Sequence, residues 1–174
     1  LLTGSPALDS GNPAKPGSEP GACESNDQRG VTPPQGAACD IGAFELVPPE
    51  LAEIDIKPGS QTNPINLRSR GLILVAILST PDLDAPGVVD RSSLTFGRSG
   101  DEQSFAFCEE DPEDVNLDGL DDLLCHFRTR WTGLLRGDTQ ATLKGKLLDG
   151  RELMGSDSVR IVPVGRSSAA EPTP

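Results

Sequence analysis

Residues 114–127 read Asp114-Val-Asn116-Leu-Asp118-Gly119-Leu-Asp121-Asp122-Leu-Leu-Cys125-His-Phe127, an acidic loop followed by an apolar run. Oxygen-bearing side chains stand at loop positions one, three, five and nine, and glycine stands at position six, where the backbone must bend sharply. A hard cation such as Ca²⁺ needs this set of oxygen ligands from a tight turn. The pattern therefore predicts a calcium site whose ligands are Asp114, Asn116, Asp118, the Leu120 carbonyl and Asp122.

A solvated acidic surface is the alternative interpretation of this loop. Ten of the chain's 27 acidic residues lie between Asp101 and Asp122, with no Lys or Arg among them, and surface charge alone could explain such a run. It does not explain the alternation of acids with Val and Leu, or the glycine. The loop also differs from a regulatory EF-hand, because Cys125 stands at position twelve, where a bidentate Glu is expected. We therefore expect a fixed structural ion rather than a sensor.

The residues after position 51 predict an all-β fold. Short apolar segments alternate with turn signals, among them Asp149-Gly150, and no helical period is present. Such a pattern is typical of an Ig-like two-sheet β-sandwich, here with an EF-hand-like calcium loop. The predicted strands are 52–57, 72–80, 93–96, 104–108, 123–130, 140–148 and 158–162.

Composition excludes several function classes. The formal net charge of -12 argues against binding of nucleic acid or of an anionic membrane surface. No apolar run approaches the roughly 18 to 20 residues that a membrane span needs. We therefore expect neither a nucleic-acid partner nor a membrane span.

The four cysteines form two local pairs, Cys23 with Cys39 and Cys108 with Cys125. None stands in a C-x-x-C arrangement suited to zinc or redox chemistry. Four cysteines allow three connectivities, and proximity in sequence favours the two local ones. Disulfides are typical of exported proteins, whereas buried free thiols in a cytosolic protein are the alternative. We expect an extracellular or cell-surface location.

The first part of the chain resembles a known family. It contains, in order, Ser5-Pro-Ala-Leu-Asp9-Ser-Gly-Asn12-Pro, Cys23, Asp27-Gln-Arg29-Gly30 and Pro34-Gln-Gly36-Ala-Ala-Cys39-Asp40-Ile-Gly42-Ala-Phe44-Glu45. This order is similar to the end of bacterial exported right-handed parallel β-helix proteins of the choice-of-anchor Q type. The resemblance implies that residues 1–46 are a loop-rich terminal coil or cap, and that the upstream β-helix domain of the same protein is its partner.

A second resemblance covers about residues 52–163. It rests on Ile54-Asp-Ile-Lys57-Pro58-Gly59-Ser60, Asn63-Pro-Ile-Asn66, Val75-Ala-Ile-Leu78, Glu113-Asp-Val-Asn116, Asp118-Gly119 and Ser156-Asp-Ser-Val159-Arg-Ile-Val-Pro163. These motifs are similar to a repeated C-terminal module of secreted bacterial surface proteins, which implies a calcium-loaded β module. Leu117 stands where that module usually has Gly, and a side chain is tolerable there if the residue is not left-handed.

The predicted organisation has four parts. The β-helix cap (1–46) is followed by a Pro-rich linker (47–51) around Pro48-Pro49, a calcium-binding β-sandwich module (52–164) and a disordered tail (165–174). The chain begins at Leu1 without a recognisable signal peptide, so we expect it to be a fragment of a longer protein.

Candidate catalytic residues are few, and we predict no catalytic site. His126 is the only histidine, without a nucleophile pattern around it, and is interpreted as a structural or surface residue. Asp27 and Arg29 are interpreted as satisfying backbone groups in a turn. Asp82 and Asp84 form either a solvated turn before Pro86 or, less simply, a second set of oxygen ligands.

Two functions follow as hypotheses. In the first, the chain is a non-catalytic, calcium-stabilised extracellular module of a secreted or surface β-helix protein, with a role in adhesion, display or spacing; its ligand is a cell-surface glycan or a protein. In the second, it is the accessory C-terminal part of a polysaccharide lyase or glycoside hydrolase whose active site lies upstream. Trp131 is the only Trp and Tyr is absent, which argues against an aromatic sugar-binding platform.

Overall fold

A computed structural model of the chain describes residues 4–12, 14, 18 and 22–162. The chain divides into two compact units, Leu1–Pro49 and Glu50–Pro174. The division falls within the predicted linker, although Glu50 and Leu51 at the end of that linker already form a strand. The predicted tail, residues 165–174, lies outside the described residues.

Between residues 4 and 49 the described part of the smaller unit contains neither helix nor strand. It is held by the predicted Cys23–Cys39 disulfide and by carboxylates that accept backbone N–H groups. Asp40 accepts from the N–H groups of Asp9 and Leu46. Because each such bond fixes a loop that no sheet supports, the side chains take over the role of secondary structure.

Asp27 is the centre of one of these turns. Its carboxylate accepts the backbone N–H groups of Arg29, Val31 and Glu45 as well as the Arg29 guanidinium. Burial by itself would raise the pKa of Asp27, but the hydrogen bonds from Arg29, Val31 and Glu45 outweigh it and hold the pKa far below its usual value. The interpretation of Asp27 and Arg29 as turn residues is confirmed.

The described part of the larger unit, residues 50–162, contains ten strands in three sheets. Sheet 1 has the order β1-β9-β8-β5, sheet 2 has the order β2-β4-β7-β6, and β10 and β3 form a small parallel pair. The strands are β1 (Glu50–Leu51), β2 (Ile54–Ile56), β3 (Pro64–Ile65), β4 (Leu72–Ile77), β5 (Val89–Gly97), β6 (Phe105–Cys108), β7 (Leu123–Arg128), β8 (Gln140–Leu147), β9 (Glu152–Ser158) and β10 (Arg160–Ile161). One short helix, α1 (Ala85–Val88), follows β4, and a single 3₁₀ turn (Thr129–Trp131) follows β7.

Sheets 1 and 2 share one hydrophobic core. Alternate residues of each strand point inward, as the period of a half-buried strand requires, and the ring centroids of Phe96 on β5 and Phe127 on β7 lie 5.0 Å apart. Both rings are fully buried, with Val75, Leu143 and Leu153 around them. The all-β prediction is confirmed, and the two four-stranded sheets form a two-layer sandwich.

The sequence prediction missed β9, which lies at the centre of sheet 1. Its inward positions carry Leu153, Gly155 and Asp157, so the apolar alternation is interrupted. A Cβ at Gly155 would lie 2.6 Å from the Ala52 carbonyl oxygen, so the glycine makes room for the chain as it crosses from β1 to β2. The predicted strand at 158–162 is present only as the short β10.

Asp157 hydrogen-bonds to β2, the edge strand of sheet 2. Its carboxylate accepts from the backbone N–H of Ile56 and from the Asn63 side-chain amide, both at 2.9 Å. Burial and the negative charge of Asp157 raise the pKa of the half-buried Asp55 carboxyl.

Asp55→Asn is therefore expected to raise stability at neutral pH. A carboxyl whose pKa is higher in the folded than in the unfolded state binds a proton more tightly when folded, so stability falls as pH rises through the interval above pH 3.8. The gain is expected to be below about 1 kcal/mol because the group keeps contact with water. Urea unfolding at several pH values measures it, with the exposed Asp82→Asn as the control. Equal curves for the wild type and Asp55→Asn would contradict the assignment.

Candidate functional site

The acidic loop connects β6 to β7, and a disulfide closes its base. Cys108 and Cys125 stand directly opposite each other in the antiparallel pair, with 3.9 Å between their Cα atoms. The second predicted disulfide is thus also present. One further backbone bond, from Glu109 N–H to the Leu124 carbonyl, extends the ladder before the loop leaves the sheet.

Asp122, the predicted position-nine ligand, is a fully buried carboxylate. It accepts the backbone N–H of Ser79 at 2.8 Å and that of Val115 at 3.0 Å. A backbone bridge to Glu113 flanks it. Asp122 therefore connects the loop to the chain that leaves β4, and it accepts the N–H of the buried Ser79, which would otherwise have no partner, together with that of the half-buried Val115.

Ser79 is the second component of this connection, and it was not among the site residues predicted from the sequence. Its hydroxyl donates to the Asp121 carbonyl at 2.7 Å and accepts the N–H of Ala85 at the start of α1 at 3.0 Å. The available signal was a polar residue placed directly after the apolar run 72–78. Asp84, interpreted above as a turn residue, caps α1 by accepting the Gly87 N–H.

The other predicted side-chain ligands fold the tip of the loop. Asp114 accepts the N–H groups of Asp118 at 3.1 Å and of Gly119 at 2.8 Å. Asn116 accepts the same Asp118 N–H at 3.0 Å, and Asp118 accepts the Leu120 N–H at 2.9 Å. The side-chain oxygens thus turn toward the inside of the loop, where they satisfy its own backbone.

These residues can be compared with the needs of a bound cation. Carboxylate and amide oxygens are the donors that Ca²⁺ prefers, and each oxygen that accepts one N–H keeps a second lone pair. Within the described residues, however, no three His, Cys, Asp or Glu side chains are grouped as a metal site. The donor chemistry fits calcium, while the arrangement of the side chains is that of a hydrogen-bonded turn.

The charge of the loop has little local compensation. In the described part of the chain, no Lys or Arg forms an ion pair with Asp114, Asp118 or Asp122. The nearest paired acid is Glu109, whose carboxylate lies 2.8 Å from His126 Nε2.

The structural interpretation of His126 agrees with this contact, since its ring also stacks on Phe107 with 4.5 Å between centroids. Within the described residues, neither a second acid–base group nor a nucleophile forms a hydrogen bond with the ring. His126 therefore supports the outer face of sheet 2 beside the disulfide.

The condition under which a side chain is tolerable at Leu117 is not met, because its φ is 63°, in the left-handed region. Gly119, at the position where the turn was predicted, has a φ of 93°. Two residues of the loop thus adopt left-handed backbone, and only one of them is glycine. A side chain in this region is strained by contact between its Cβ and the following carbonyl.

Leu117→Gly is expected to stabilise the larger unit by about 0.5 kcal/mol. Relief of the left-handed strain contributes roughly 1 to 2 kcal/mol, and the greater freedom of glycine in the unfolded chain offsets roughly 0.4 to 1 kcal/mol of it. Leu117 is 87% exposed, so little packing is lost. Urea unfolding followed by Trp131 fluorescence is the measurement, and Leu117→Ala, which keeps the Cβ, should show no gain. A less stable glycine variant would contradict the strain argument.

Together these features define the chain's larger unit as an all-β module with a disulfide-closed acidic loop. No protein family, curated protein or solved structure matches the chain. None of the helices in the described residues is long and apolar enough to cross a membrane. Two disulfides are compatible with an extracellular location.

Proposed function

We propose that residues 50–162 are a non-catalytic, calcium-stabilised, Ig-like β-sandwich module of an exported protein, with a role in spacing, display or adhesion. The observation that carries the proposal is the position of Asp122. It belongs to the acidic loop and is also bonded to Ser79 in the core. Ordering of the loop by an ion is therefore transmitted directly to sheet 2.

The physical basis of the stabilisation is charge. Asp114, Asp118 and Asp122 lie within nine residues, and without a cation their carboxylates repel one another. A divalent ion reverses the sign of that interaction. With three carboxylates and no glutamate at position twelve, the expected dissociation constant is about 10⁻⁴ to 10⁻³ M, the range of extracellular modules.

The export part of the proposal is supported by the two disulfides, because such bonds persist in oxidising compartments. A calcium site of modest affinity is useful where calcium is abundant, which favours the same location. By its resemblance to the choice-of-anchor Q proteins, we further propose that the smaller unit caps an upstream parallel β-helix.

Calcium is expected to raise the melting temperature of the module. At 10 mM calcium the mass-action gain for this affinity is about 1.4 to 2.7 kcal/mol, which corresponds to a shift of roughly 5 to 15 °C for a domain of this size. The comparison is calorimetry in calcium against calorimetry in chelator, with magnesium at equal ionic strength as the salt control.

Two variants make the test specific. Asp118→Ala removes a proposed ligand from the exposed tip and is expected to abolish the calcium shift. Asp121→Ala removes the same charge from the same loop without removing a proposed ligand, and it should keep most of the shift. A melting temperature that is equal in calcium and in chelator would contradict the proposed function.

A further inference from the structure

The end of sheet 2 opposite the acidic loop is rich in arginine. β4 begins at Leu72 and β7 ends at Arg128, and these two residues are paired across the strands. Just beyond this pair, the N–H and the hydroxyl of Thr129 both donate to the Gly71 carbonyl, at 3.2 and 2.9 Å. The segment before β4 therefore lies beside the segment after β7. We call this surface the arginine end; it consists of Arg68, Arg70, Leu72, Arg128, Arg130 and Trp131.

The positive charge of the arginine end is not neutralised by neighbouring acids. All four of its arginines are exposed, and in the described part of the chain none of them forms an ion pair. Outside the acidic loop, the three acids at positions 101, 102 and 138 already have other partners. Asp101 pairs with Lys144, Asp138 pairs with Arg98, and Glu102 accepts the N–H groups of Ser99 and Gly100.

The arginine end is also electrostatically separate from the acidic loop. The six residues of β7 span about 20 Å at the usual strand rise. Charges separated by more than about 8 Å are largely screened at physiological ionic strength. An anionic partner at this surface therefore experiences the arginines more strongly than the chain's overall negative charge.

An exposed apolar surface accompanies the arginines. Trp131 is 57% exposed and Leu72 is 44% exposed, in a chain with few aromatic residues. The Arg128 guanidinium lies 4.8 Å from the Trp131 ring centroid, which holds the indole in place beside the cation. A shallow pocket of about 140 Å³, lined in part by Lys57, Leu72 and Thr129, opens at the same end of the sheet.

This combination fits one class of partner. One indole is not the multi-aromatic platform that the composition argues against, but it can stack on the C–H face of a single sugar ring while the arginines supply the charge. A carboxylate on that sugar can be held by two parallel hydrogen bonds from a guanidinium. Duplex DNA is a poorer match, because its charges follow each other at about 1.7 Å along the axis and an acidic protein repels so dense a polyanion. A polysaccharide with at most one carboxylate per sugar carries far less charge per unit length.

We propose that the arginine end binds an extracellular polysaccharide that carries carboxylate groups. The proposal goes beyond the calcium-dependent module described above and uses different residues. Its success or failure is therefore distinguishable from that of the calcium proposal.

The test uses the full chain and polygalacturonate as the probe, with affinity electrophoresis in chelator at low and at physiological salt. Chelator prevents calcium from bridging the acidic loop to the polymer, and circular dichroism verifies that each sample is folded. We expect binding that weakens with salt and that is lost when the polymer's carboxylates are methyl-esterified. The double variant Arg70→Gln/Arg130→Gln should weaken binding at least tenfold, and Trp131→Ala should weaken it several-fold.

The matched control removes two positive charges from the β8–β9 hairpin. A Lys146→Gln/Arg151→Gln variant changes the net charge by the same amount as the double arginine variant and should leave affinity within about twofold. Four results would overturn the proposal: no binding at low salt, equal binding of the methyl ester, equal losses from the control variant, or tighter binding of DNA than of polygalacturonate.

Discussion

Replacing Cys108 and Cys125 together by alanine is expected to lower the free energy of unfolding of the sandwich by about 3 kcal/mol, the usual contribution of a disulfide that closes a loop of this length. The two cysteines are 17 positions apart, and the bond between them holds both ends of the acidic loop. Without it, the unfolded chain gains freedom, and β6 is held to β7 only by its backbone ladder and by side-chain contacts such as Phe107 on His126.

Urea unfolding followed by fluorescence measures the stability of the larger unit, because the chain's only Trp, Trp131, lies in the sandwich. The control is the wild type under reducing conditions, which should lose a similar amount of stability. If reduction is harmless but the double variant is unstable, the packing of the buried Cys125 sulfur, and not the bond, is the cause. An unchanged urea midpoint in both samples would contradict the prediction.

Asp122→Ala is expected to cost about 3 kcal/mol even in the absence of calcium. The substitution leaves the buried N–H of Ser79 and the half-buried N–H of Val115 without their acceptor, and a buried unpaired donor costs roughly 1 to 3 kcal/mol. The bonds are to a charged group, which makes them stronger than neutral ones.

The neighbouring Asp121→Ala is the matched control, since its side chain is exposed and the charge change is the same. It is expected to change stability by less than about 0.5 kcal/mol, as is usual for surface substitutions. Equal effects of the two variants would show that loop charge, and not the buried hydrogen bonds of Asp122, determines stability. Both measurements belong in chelator, so that loss of a proposed ligand does not contribute.

Local patterns predicted a large part of this fold. The run from Leu123 to Phe127, predicted as part of a strand, forms β7, and the Asp149-Gly150 turn lies between β8 and β9 with a φ of 90° at Gly150. The local disulfides also follow from the sequence, because a loop of about 15 residues brings its ends together at little entropic cost. These features depend on residues that are close in the chain.

The features that the sequence did not predict depend on distant contacts. Asp122 reads as a ligand in the linear motif, but its partner Ser79 is 43 positions away, and no local pattern reveals that the carboxylate is buried. β9 was not predicted because two of its inward positions are not apolar. Gly155 leaves room for the Ala52 carbonyl, and Asp157 accepts the Ile56 N–H. The left-handed φ of Leu117 is an exception, because it lies in a local turn whose Asp118 and Gly119 N–H groups donate to Asp114.

Equilibrium dialysis of the metal-free protein in up to 10 mM calcium, with chelator-treated samples as the reference, measures whether the acidic loop binds calcium. We expect one calcium ion per chain, with a dissociation constant of about 10⁻⁴ to 10⁻³ M. Binding should be lost in Asp118→Ala and retained in Asp121→Ala. No bound calcium at the highest concentration, or equal binding by the wild type and both variants, would contradict a calcium site in the acidic loop.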